Sequence, residues 1–448
     1  MTALARTWDQ LTLPGKALLI LIPLLAVLTT GLLVTILLFG QQILDILIYN
    51  LPIVRFVFAA TVLLLLAPPL AFVIIYMEMK IIALMNLRIG PDRVGPWGSL
   101  LSTVHGLKVL MKEDFTPTRA DPVVFTWAPV VAFSTMAMSA LVIPFAPGLY
   151  GQDFNLGLLY FFAIGGMLVV GLLMGGWASF NKYSLLGGLR SAAQIVSYEI
   201  PLTLSVVGLV MLAGTMSLNT IVLQQSGSGW FTDWYAFRQP LGFLIFAIAA
   251  TAEANRTPFD LTEADSEIVA GFATEYSGMR FGFFFFAEYI GVFIISALTV
   301  VLFLGGWTAP FPVPPISWEV NPGTLGIGLL LLVMIVPVLG TLLFALPFYL
   351  FRSQTRWWVA LIVGFVLFNV VVGGLFGLWA YINFDWVAGL FWFLAKTFGL
   401  VFLFVWMRGT LPRVRIDQLM GFAWKWLLPA SLLNLFVTAL AIMVIDQP

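Results

Sequence analysis

The sequence contains no cysteine and only one histidine, His105, among its 448 residues. Thiolate and imidazole groups are the ligands with which proteins usually hold iron–sulfur clusters, haem and zinc. The chain therefore has too few ligands to build such a centre, and any redox centre must lie on a partner. Charge is also scarce, at 9% of the residues, and the 21 basic and 21 acidic side chains balance, so the composition gives no indication of a nucleic-acid partner.

Apolar residues are abundant instead. They make up 61% of the chain, with 40 phenylalanines and 16 tryptophans, and the mean hydropathy is +1.03. Soluble domains contain about 45–50% apolar residues, so this composition is that of a membrane protein. Since a helix needs about twenty apolar residues to cross a bilayer, the sequence predicts an all-α, polytopic transmembrane bundle of about 11 helices, at 17–39, 53–77, 123–145, 155–177, 195–217, 240–254, 281–304, 324–350, 357–382, 386–407 and 423–445.

The basic residues fall on one side of the membrane when these segments alternate in direction. With the N-terminus in the cytoplasm, 18 of the 21 lysines and arginines lie in inner loops, Arg55 and Arg238 lie outside, and Lys396 lies within a segment. Cytoplasmic loops of membrane proteins carry the excess of Lys and Arg, so this orientation is predicted, with the C-terminus outside. It gives four large inner loops, near 78–122, 178–194, 255–280 and 408–425.

Acidic side chains occur where a bilayer makes them costly. Glu199 lies about one turn inside a segment, and Glu288 lies about two turns into a helix rich in phenylalanine. An ionised carboxylate at a helix centre costs about 2.5–3.5 kcal/mol unless it is protonated, paired or hydrated. Burial raises carboxylate pKa values and like charges spread them, so a series of such acids can exchange protons near neutral pH. We therefore predict a proton path through Glu199, Glu253, Glu267, Glu275 and Glu288.

Lys396 falls in the middle of a predicted span. A desolvated lysine either loses its proton more readily or finds a carboxylate partner, so we expect Lys396 to face the bundle interior and assign it to the same path. Simpler explanations stay open for other features. The Glu199 carboxylate can reach the interface, acids near 265 can cap a helix, and the loop that presents Arg88 and Arg93 on stiff Gly-Pro turns can serve as a basic anchor.

Five stretches, in the same order, resemble the H-subunit family of proton-pumping NADH:quinone oxidoreductase, respiratory complex I. They are the loop at 78–96, with Leu-Arg-x-Gly-Pro-x-Arg-Val-Gly-Pro, and the stretches 181–199, 255–279, 287–289 and 410–420. The likeness covers roughly 53–310 and 386–445. It implies an eight-helix core whose cytoplasmic face docks the peripheral arm and forms the entry and floor of a quinone chamber. By this resemblance the quinone channel or docking face would be shaped by Arg88, Arg93, Arg256, Phe259 and Asp260.

Relative to that core, the chain has additions. Residues 1–52 add a transmembrane helix and an outer loop, 53–310 hold core helices with the quinone-site loops, 311–385 form an inserted helical hairpin, and 386–448 hold the last two core helices. Because the two inserted helices contain no acids, we expect the hairpin to pack at the periphery.

The resemblance implies a subunit of an NADH:quinone oxidoreductase, a translocase, in the bacterial plasma membrane. Its substrate would be a quinone, and iron–sulfur clusters and flavin would lie only on partner subunits. Its partners would be the other membrane-arm and peripheral-arm subunits, quinone and membrane lipids. Two alternatives stay open: the equivalent subunit of an energy-converting hydrogenase or formate-linked complex, and a stand-alone ion-coupled transporter. The complete Asn-Arg-x-Pro-Phe-Asp-Leu motif at 255–261 favours the quinone enzyme.

Overall fold

A computed structural model describes residues 52–227, 230–260, 271–311 and 385–445. The predicted spans 17–39, 324–350 and 357–382, and with them the extra N-terminal helix and the inserted hairpin, lie outside the described residues, as does Glu267. By its internal contacts the chain groups residues 51–313 and 389–448 into one compact unit. The described residues are helical, with no β-strand among them beyond a single isolated bridge.

Twelve helices of seven or more residues form the described part of the chain. They are α1 Pro52–Met85, α2 Leu101–Leu110, α3 Pro122–Ala140, α4 Gly157–Gly165, α5 Met167–Ala178, α6 Lys182–Ala213, α7 Leu218–Gln224, α8 Pro240–Glu253, α9 Gly278–Phe303, α10 Asp385–Thr410, α11 Ile416–Phe422 and α12 Leu428–Ile445. A wider helical turn at Ala423–Leu427 joins α11 to α12.

The polytopic helical bundle predicted from the sequence is confirmed. Among the described residues, seven helical segments are long and apolar enough to cross a membrane, with α4 and α5 counted as one segment and α11 to α12 as another. The predicted span 240–254 corresponds to α8, which has only 14 residues. At about 1.5 Å per residue α8 is too short to cross the hydrocarbon core alone, as the short apolar run in the sequence indicated.

Local sequence signals fix the ends of the helices. Asp121 begins α3 by accepting hydrogen bonds from the backbone nitrogens of Val123 and Val124, at 3.1 and 3.4 Å, and proline occupies the first helical position. Asn181 caps α6 in the same way, through the backbone N–H of Tyr183. Gly214 ends α6 with a φ of +66°, a conformation that glycine adopts without strain.

Helix α9 lies at the centre of the core. It is the most enclosed of the long spans in the described part, and it packs against α1, α3 and α8. Helix α6 forms a second axis, in contact with α5, α8 and α12. The faces that remain exposed on α1 and α12 are apolar, as Leu65, Phe436 and Val444 illustrate. A bundle with a packed interior and an apolar exterior is the arrangement that a bilayer requires.

The four loops predicted to share one side do meet at one end of the bundle. The Ser184 hydroxyl donates to the carbonyl of Phe272 at 2.8 Å, and the Ser277 hydroxyl donates to the carbonyl of Glu113 at 3.2 Å. The backbone N–H of Val414 donates to the carbonyl of Pro258 at 3.1 Å. We call this end, formed by 86–121, 179–181, 254–260, 271–277 and 411–415, the charged end.

Close packing at the charged end predicts an intolerance to small additions. A methyl group at Gly187 on α6 would lie 2.5 Å from the carbonyl carbon of Gly271. We expect Gly187→Ala to lower the free energy of unfolding by about 1–3 kcal/mol, because backbone must shift to relieve the overlap. The measurement is the thermal melting of the purified protein in its native assembly.

The matched control is Gly399→Ala on α10, since no atom of a described residue lies within 4 Å of a methyl group at Gly399. Equal melting temperatures for the two variants would contradict the packing argument.

Candidate functional site

Arg256, in the loop between α8 and α9, is the buried centre of a group of charges at the charged end. Its side chain is 5% exposed. One guanidinium nitrogen, Nη1, lies 3.5 Å from Oε2 of Glu78 on α1, and the other, Nη2, lies 3.5 Å from Oε1 of Glu288 on α9. The guanidinium carbon also lies 4.4 Å from the centre of the Tyr289 ring. One arginine therefore joins α1 and α9 through two carboxylates and an aromatic face.

Asp260 forms the second half of this group. Arg413 donates from Nη2 to Oδ2 of Asp260 at 3.0 Å, and Nη2 of Arg408, near the end of α10, lies 4.0 Å from the same oxygen. Arg408 also donates from Nη1 to Oε1 of Glu78. We call these six side chains the charge network: Glu78, Asp260, Glu288, Arg256, Arg408 and Arg413. Its three negative and three positive formal charges cancel.

Pairing is what allows these charges to be buried. Removing an ion from water costs several kcal/mol, and only close opposite charges and hydrogen bonds offset that cost. Burial acts to lower the pKa of Arg256, but the carboxylates of Glu288 and Glu78 raise it by more, so the pKa lies above its ordinary value. Arg256 therefore stays positively charged at any pH that a cell reaches, and the carboxylates beside it have a permanent counter-charge.

The loop that carries Arg256 and Asp260 has a fixed, unusual backbone. Asn255 has a φ of +49°, in the left-handed region that few residues other than glycine adopt, and the peptide bond between Thr257 and Pro258 is cis. The side chain of Gln194 on α6 donates to the carbonyl oxygens of Ala252 and Phe259, at 2.9 and 2.8 Å. We call residues 252–260 the arginine loop.

A cavity adjoins the charge network in the membrane-spanning part of the bundle. It lies among α3, α4, α5, α8 and α9, has a volume of about 70 Å³, and is lined by Glu253 and Glu288 amid mostly apolar side chains such as Phe161 and Ile295. We call it the acid cavity. Because one water occupies roughly 10–15 Å³ on this measure, the acid cavity has room for a few water molecules beside two carboxyl groups.

A third carboxylate, that of Glu199 on α6, lies close by. Its Oε1 lies beside Gly166, the neighbour of the cavity-lining Gly165, and it is near enough to Glu253 for the two like charges to interact. In the described part of the chain, Oε2 of Glu253 is buried without a hydrogen-bond partner. A carboxyl group can exchange protons with water beside it, so the placement of these three acids at or near one cavity is compatible with proton transfer.

Glu275 lies apart from these acids. Its Oε1 accepts a hydrogen bond from Nδ2 of Asn181 at 2.6 Å, and both residues line an open surface pocket at the charged end, with Arg119 and Lys182. The acid cavity is lined by other residues. The structure thus brings together Glu199, Glu253 and Glu288, whereas Glu275 lies outside this group, at the surface.

Lys396 lies toward the opposite end of α9 from Glu288. Its Nζ donates to the carbonyl oxygens of Leu304 and Gly306, at 2.6 and 2.9 Å, and lies 4.3 Å from the centre of the Trp234 ring. Sixteen residues separate Leu304 from Glu288, or roughly 24 Å along the helix axis. A positive charge on the carbonyls at a helix C-terminus is favourable in itself, so the contacts of Lys396 explain its burial without a carboxylate.

The residues assigned to the quinone channel or docking face divide into exposed and buried ones. Arg88 and Arg93 are exposed in the loop that follows α1. Phe259 is buried, with its ring centre 5.4 Å from that of Tyr198, and Asp260 is buried in the charge network. The exposed arginines are available to a partner or ligand, and the buried residues hold the arginine loop in place.

Sequence reasoning did not single out Glu78, Arg408 and Arg413 as site residues. Each lies at the end of a predicted span or in a basic loop, where an anchoring role is the simplest interpretation. Their pairing links residues up to 330 positions apart, and no local pattern encodes such contacts. Within the described residues, no group of three or more His, Cys, Asp or Glu side chains is arranged to hold a metal ion.

Comparisons with known proteins match most of the chain. A family model described as NADH dehydrogenase matches residues 57–439. Two proteins named as the H subunit of NADH-quinone oxidoreductase, from Bacillus cytotoxicus and Bacillus mycoides, are 43% and 42% identical over 388 residues, or 86% of this chain and 94% of each relative. One of the same name from Anoxybacillus flavithermus is 43% identical over 364 residues, 81% of this chain and 86% of its own. The span matched by the family model includes all of the charge network and the acid cavity.

The charge network predicts a large cost for removing one of its members. Arg256→Met would leave Glu78 and Glu288 with an uncompensated negative charge, and we expect a loss of about 3–5 kcal/mol in stability. Adding Glu288→Gln restores neutrality and should recover about 1–3 kcal/mol of that loss. Thermal melting of the purified native assembly measures both effects.

The matched control is Arg238→Met at the other end of the bundle, where a half-exposed arginine lies 3.3 Å from Asp233. An exposed pair contributes about 0–1 kcal/mol. If Arg256→Met destabilised the protein no more than Arg238→Met does, the charge network would not be a stabilising feature of the fold.

Proposed function

Because the chain belongs to the NADH dehydrogenase family, with close relatives named as the H subunit of NADH-quinone oxidoreductase, we propose that its charged end helps to form the quinone chamber and that its acid cavity begins a proton path. The chain is an integral membrane subunit of NADH:quinone oxidoreductase, respiratory complex I, a translocase. Its partners include the other subunits of that complex. The hydrogenase subunit and the stand-alone transporter are the less supported alternatives.

One observation carries the proposal: Glu288 belongs to both parts of the site. Its carboxylate lies 3.5 Å from Arg256 in the charge network and also lines the acid cavity. A charge that develops near the arginine loop therefore interacts electrostatically with the carboxylate of Glu288, which also lies at a cavity large enough for water. Electrostatic coupling of this kind is strong because the groups are buried and poorly screened.

The chemistry follows from the substrate. Reduction of a quinone to a quinol consumes electrons and protons, and the electrons come from an iron–sulfur cluster on a partner. The reduced quinone carries negative charge close to the charged end. This charge offsets part of the positive charge of Arg256, which otherwise stabilises the ionised carboxylates of Glu288 and Glu78. A carboxylate whose counter-charge is weakened binds a proton more readily. Glu288 then takes a proton from the acid cavity and releases it when protonation of the reduced quinone to the neutral quinol removes that negative charge.

Glu199 and Glu253 extend the path away from the quinone. Both lie at the acid cavity or beside it, and their like charges interact. We place Glu275 at the margin of the path, because it lies at the surface beside Asn181. Glu267 lies outside the described residues and keeps its predicted place in the path. Lys396 acts at a step of the path that is well separated from Glu288 along α9.

The exposed arginines of the charged end fit the outer part of the chamber. Arg88 and Arg93 are exposed on the loop that follows α1, beside the amphipathic helix α2. They are suited to hold the docked peripheral arm or to guide a quinone headgroup. Exposed apolar residues of α2, such as Leu107 and Leu110, are suited to the membrane interface through which a lipid-soluble quinone enters.

The orientation in the membrane follows from charge. We place the charged end in the cytoplasm of a bacterial cell, in the plasma membrane, with the N-terminus inside and the C-terminus outside, because 18 of the 21 basic residues then lie inside. The exposed apolar faces of α1 and α12 contact lipid or neighbouring membrane-arm subunits. We propose that the inserted hairpin, 311–385, packs at the periphery of the 53–310 and 386–448 core.

A first prediction concerns proton transfer. Glu288→Gln and Glu199→Gln should lower the number of protons pumped per electron, with the rate of proton transfer falling about tenfold or more, because an amide cannot carry the proton. Proton uptake and NADH oxidation are measured together in proteoliposomes that contain the whole complex.

The control is Asp153→Asn, a carboxylate at the opposite end that accepts hydrogen bonds from Ser217 and Asn219. It should pump normally. Wild-type pumping in assembled, active Glu288→Gln and Glu199→Gln variants would contradict the proposed path.

A second prediction concerns the substrate. A photoreactive quinone, bound to the complex and irradiated, should label peptides of the charged end, in particular 86–98 or 254–260. Excess unlabelled quinone should abolish the labelling, because both compete for one chamber. Labelling of this chain confined to 141–156 or 214–239, at the opposite end, would exclude the proposed chamber.

A further inference from the structure

Gln194 makes contacts that neither the quinone chamber nor the proton path accounts for. It lies on α6 and is 1% exposed. Its Nε2 lies 2.9 Å from the carbonyl oxygen of Ala252, 2.8 Å from that of Phe259 and 3.1 Å from Oδ1 of Asn255. All three acceptors belong to the arginine loop. A single side chain therefore forms hydrogen bonds near both ends of the loop and with Asn255 between them.

The chemistry of an amide explains why this position requires glutamine. Two carbonyl oxygens and the side-chain oxygen of Asn255 face the side-chain amide of Gln194. The amide nitrogen carries two N–H donors, so the nitrogen must point toward these oxygens. No described residue donates to Oε1 of Gln194, and all the hydrogen bonds of its side chain therefore go to this loop. An ionised glutamate has the same length but no donor, and would repel the same three oxygens.

Ala252 and Phe259, whose carbonyl oxygens Gln194 bonds, lie on either side of the functional residues of the arginine loop. Glu253, which lines the acid cavity, and Arg256, the centre of the charge network, both lie between Ala252 and Phe259. Asn255, between them, has a φ of +49°, in the sparsely populated left-handed region that asparagine adopts more readily than most residues. A backbone held in a sparsely populated conformation persists only when the surrounding contacts impose it. The hydrogen bonds of Gln194 supply such contacts.

We propose that Gln194 is a positioning residue that holds Glu253 and Arg256 at a fixed separation, so that a change at the charge network is transmitted to the acid cavity. The proposal rests on the proposed function, because it assigns Gln194 a role in coupling quinone reduction to proton movement. Gln194 carries no charge and is not itself among the residues that line the acid cavity; it acts through its hydrogen bonds to the arginine loop, one of them to the cavity-lining Asn255. Without it the chain still has every charged group, but the loop is free to relax and the coupling is lost.

The chain offers a matched control in Gln225, a second glutamine that is 1% exposed. Its Nε2 donates to the carbonyl of Val301 at 2.9 Å, and its Oε1 accepts from the backbone N–H of Gly305 at 3.0 Å. It therefore bonds loop backbone as Gln194 does, but at the opposite end of the bundle. Gln194→Met and Gln225→Met remove the same kind of buried amide from the two ends.

The test compares these variants in the purified whole complex with two measurements. The first is the number of protons pumped per electron in proteoliposomes. The second is the rate at which a water-soluble maleimide labels Ala254→Cys, in the middle of the arginine loop. Because the chain has no cysteine of its own, label found on this chain reports that single position.

With Gln194→Met we expect faster labelling of Ala254→Cys, since the loop opens more often, and proton transfer slowed by about tenfold or more, since small displacements of reacting groups are costly. Quinone reduction without a proton gradient should fall by less than proton transfer does. Gln225→Met should change neither measurement.

Several results would overturn the proposal. Unchanged labelling would show that Gln194 does not hold the loop, and faster labelling with normal pumping would show that the loop position does not matter for coupling. The same losses in Gln225→Met would show a general effect of removing a buried amide. If Gln194→Met failed to assemble, Asn255→Gly would decide, because glycine tolerates the positive φ and removes one acceptor of Gln194; it should shift both measurements in the same direction by less.

Failure of the proposed function is distinguishable from failure of this proposal. If the acid cavity were no proton path, Glu288→Gln and Gln194→Met would both pump normally. If only the positioning role were wrong, Glu288→Gln would still lose pumping and Gln194→Met would not.

Discussion

The requirement that a buried guanidinium be neutralised governs the charged end of this protein. Arg256 is almost fully enclosed, and a charge in that position is tolerated only with carboxylates beside it. Glu78 and Glu288 provide them from α1 and α9, and Arg408 and Arg413 balance Asp260 on the same loop. Helices distant in the sequence are thereby fixed to one another at the face where the loops meet.

The same constraint makes the site responsive. A network whose charges cancel is sensitive to any further charge brought near it, because low-dielectric surroundings screen that charge weakly. Glu288 belongs to the network and also to the acid cavity, and under the proposed function a disturbance on the quinone side would reach the proton side through this one side chain. Under the same proposal, the contribution of this chain is to hold ionisable groups where electron transfer on a partner subunit acts on them.

Lys396 and Glu275 show what amino-acid composition and the position of a residue relative to a predicted span cannot tell about its contacts. Both are ionisable side chains in or near apolar sequence, and both were assigned to the proton path. Lys396 donates to backbone carbonyls at the far end of α9, and Glu275 bonds Asn181 at the surface. The cost of burying a charge indicates that a partner exists, but it does not indicate whether the partner is a carboxylate, a carbonyl or water. Only the packing of the helices decides that, and the roles of these two residues remain predictions.

Much was determined by the sequence alone. Runs of apolar residues predicted the membrane spans, including the short one at α8, the distribution of Lys and Arg predicted which loops share an end, and five ordered motifs predicted the family. These properties are local or summed along the chain, so they can be read without coordinates. Tertiary structure alone decided that Arg256 lies between Glu78 and Glu288, that Arg408 and Arg413 meet Asp260, and that Gln194 bonds both sides of the arginine loop. Such pairs join residues tens to hundreds of positions apart, and the physical reason for them, the pairing of buried charges and amides, acts through space and leaves no periodicity in the sequence.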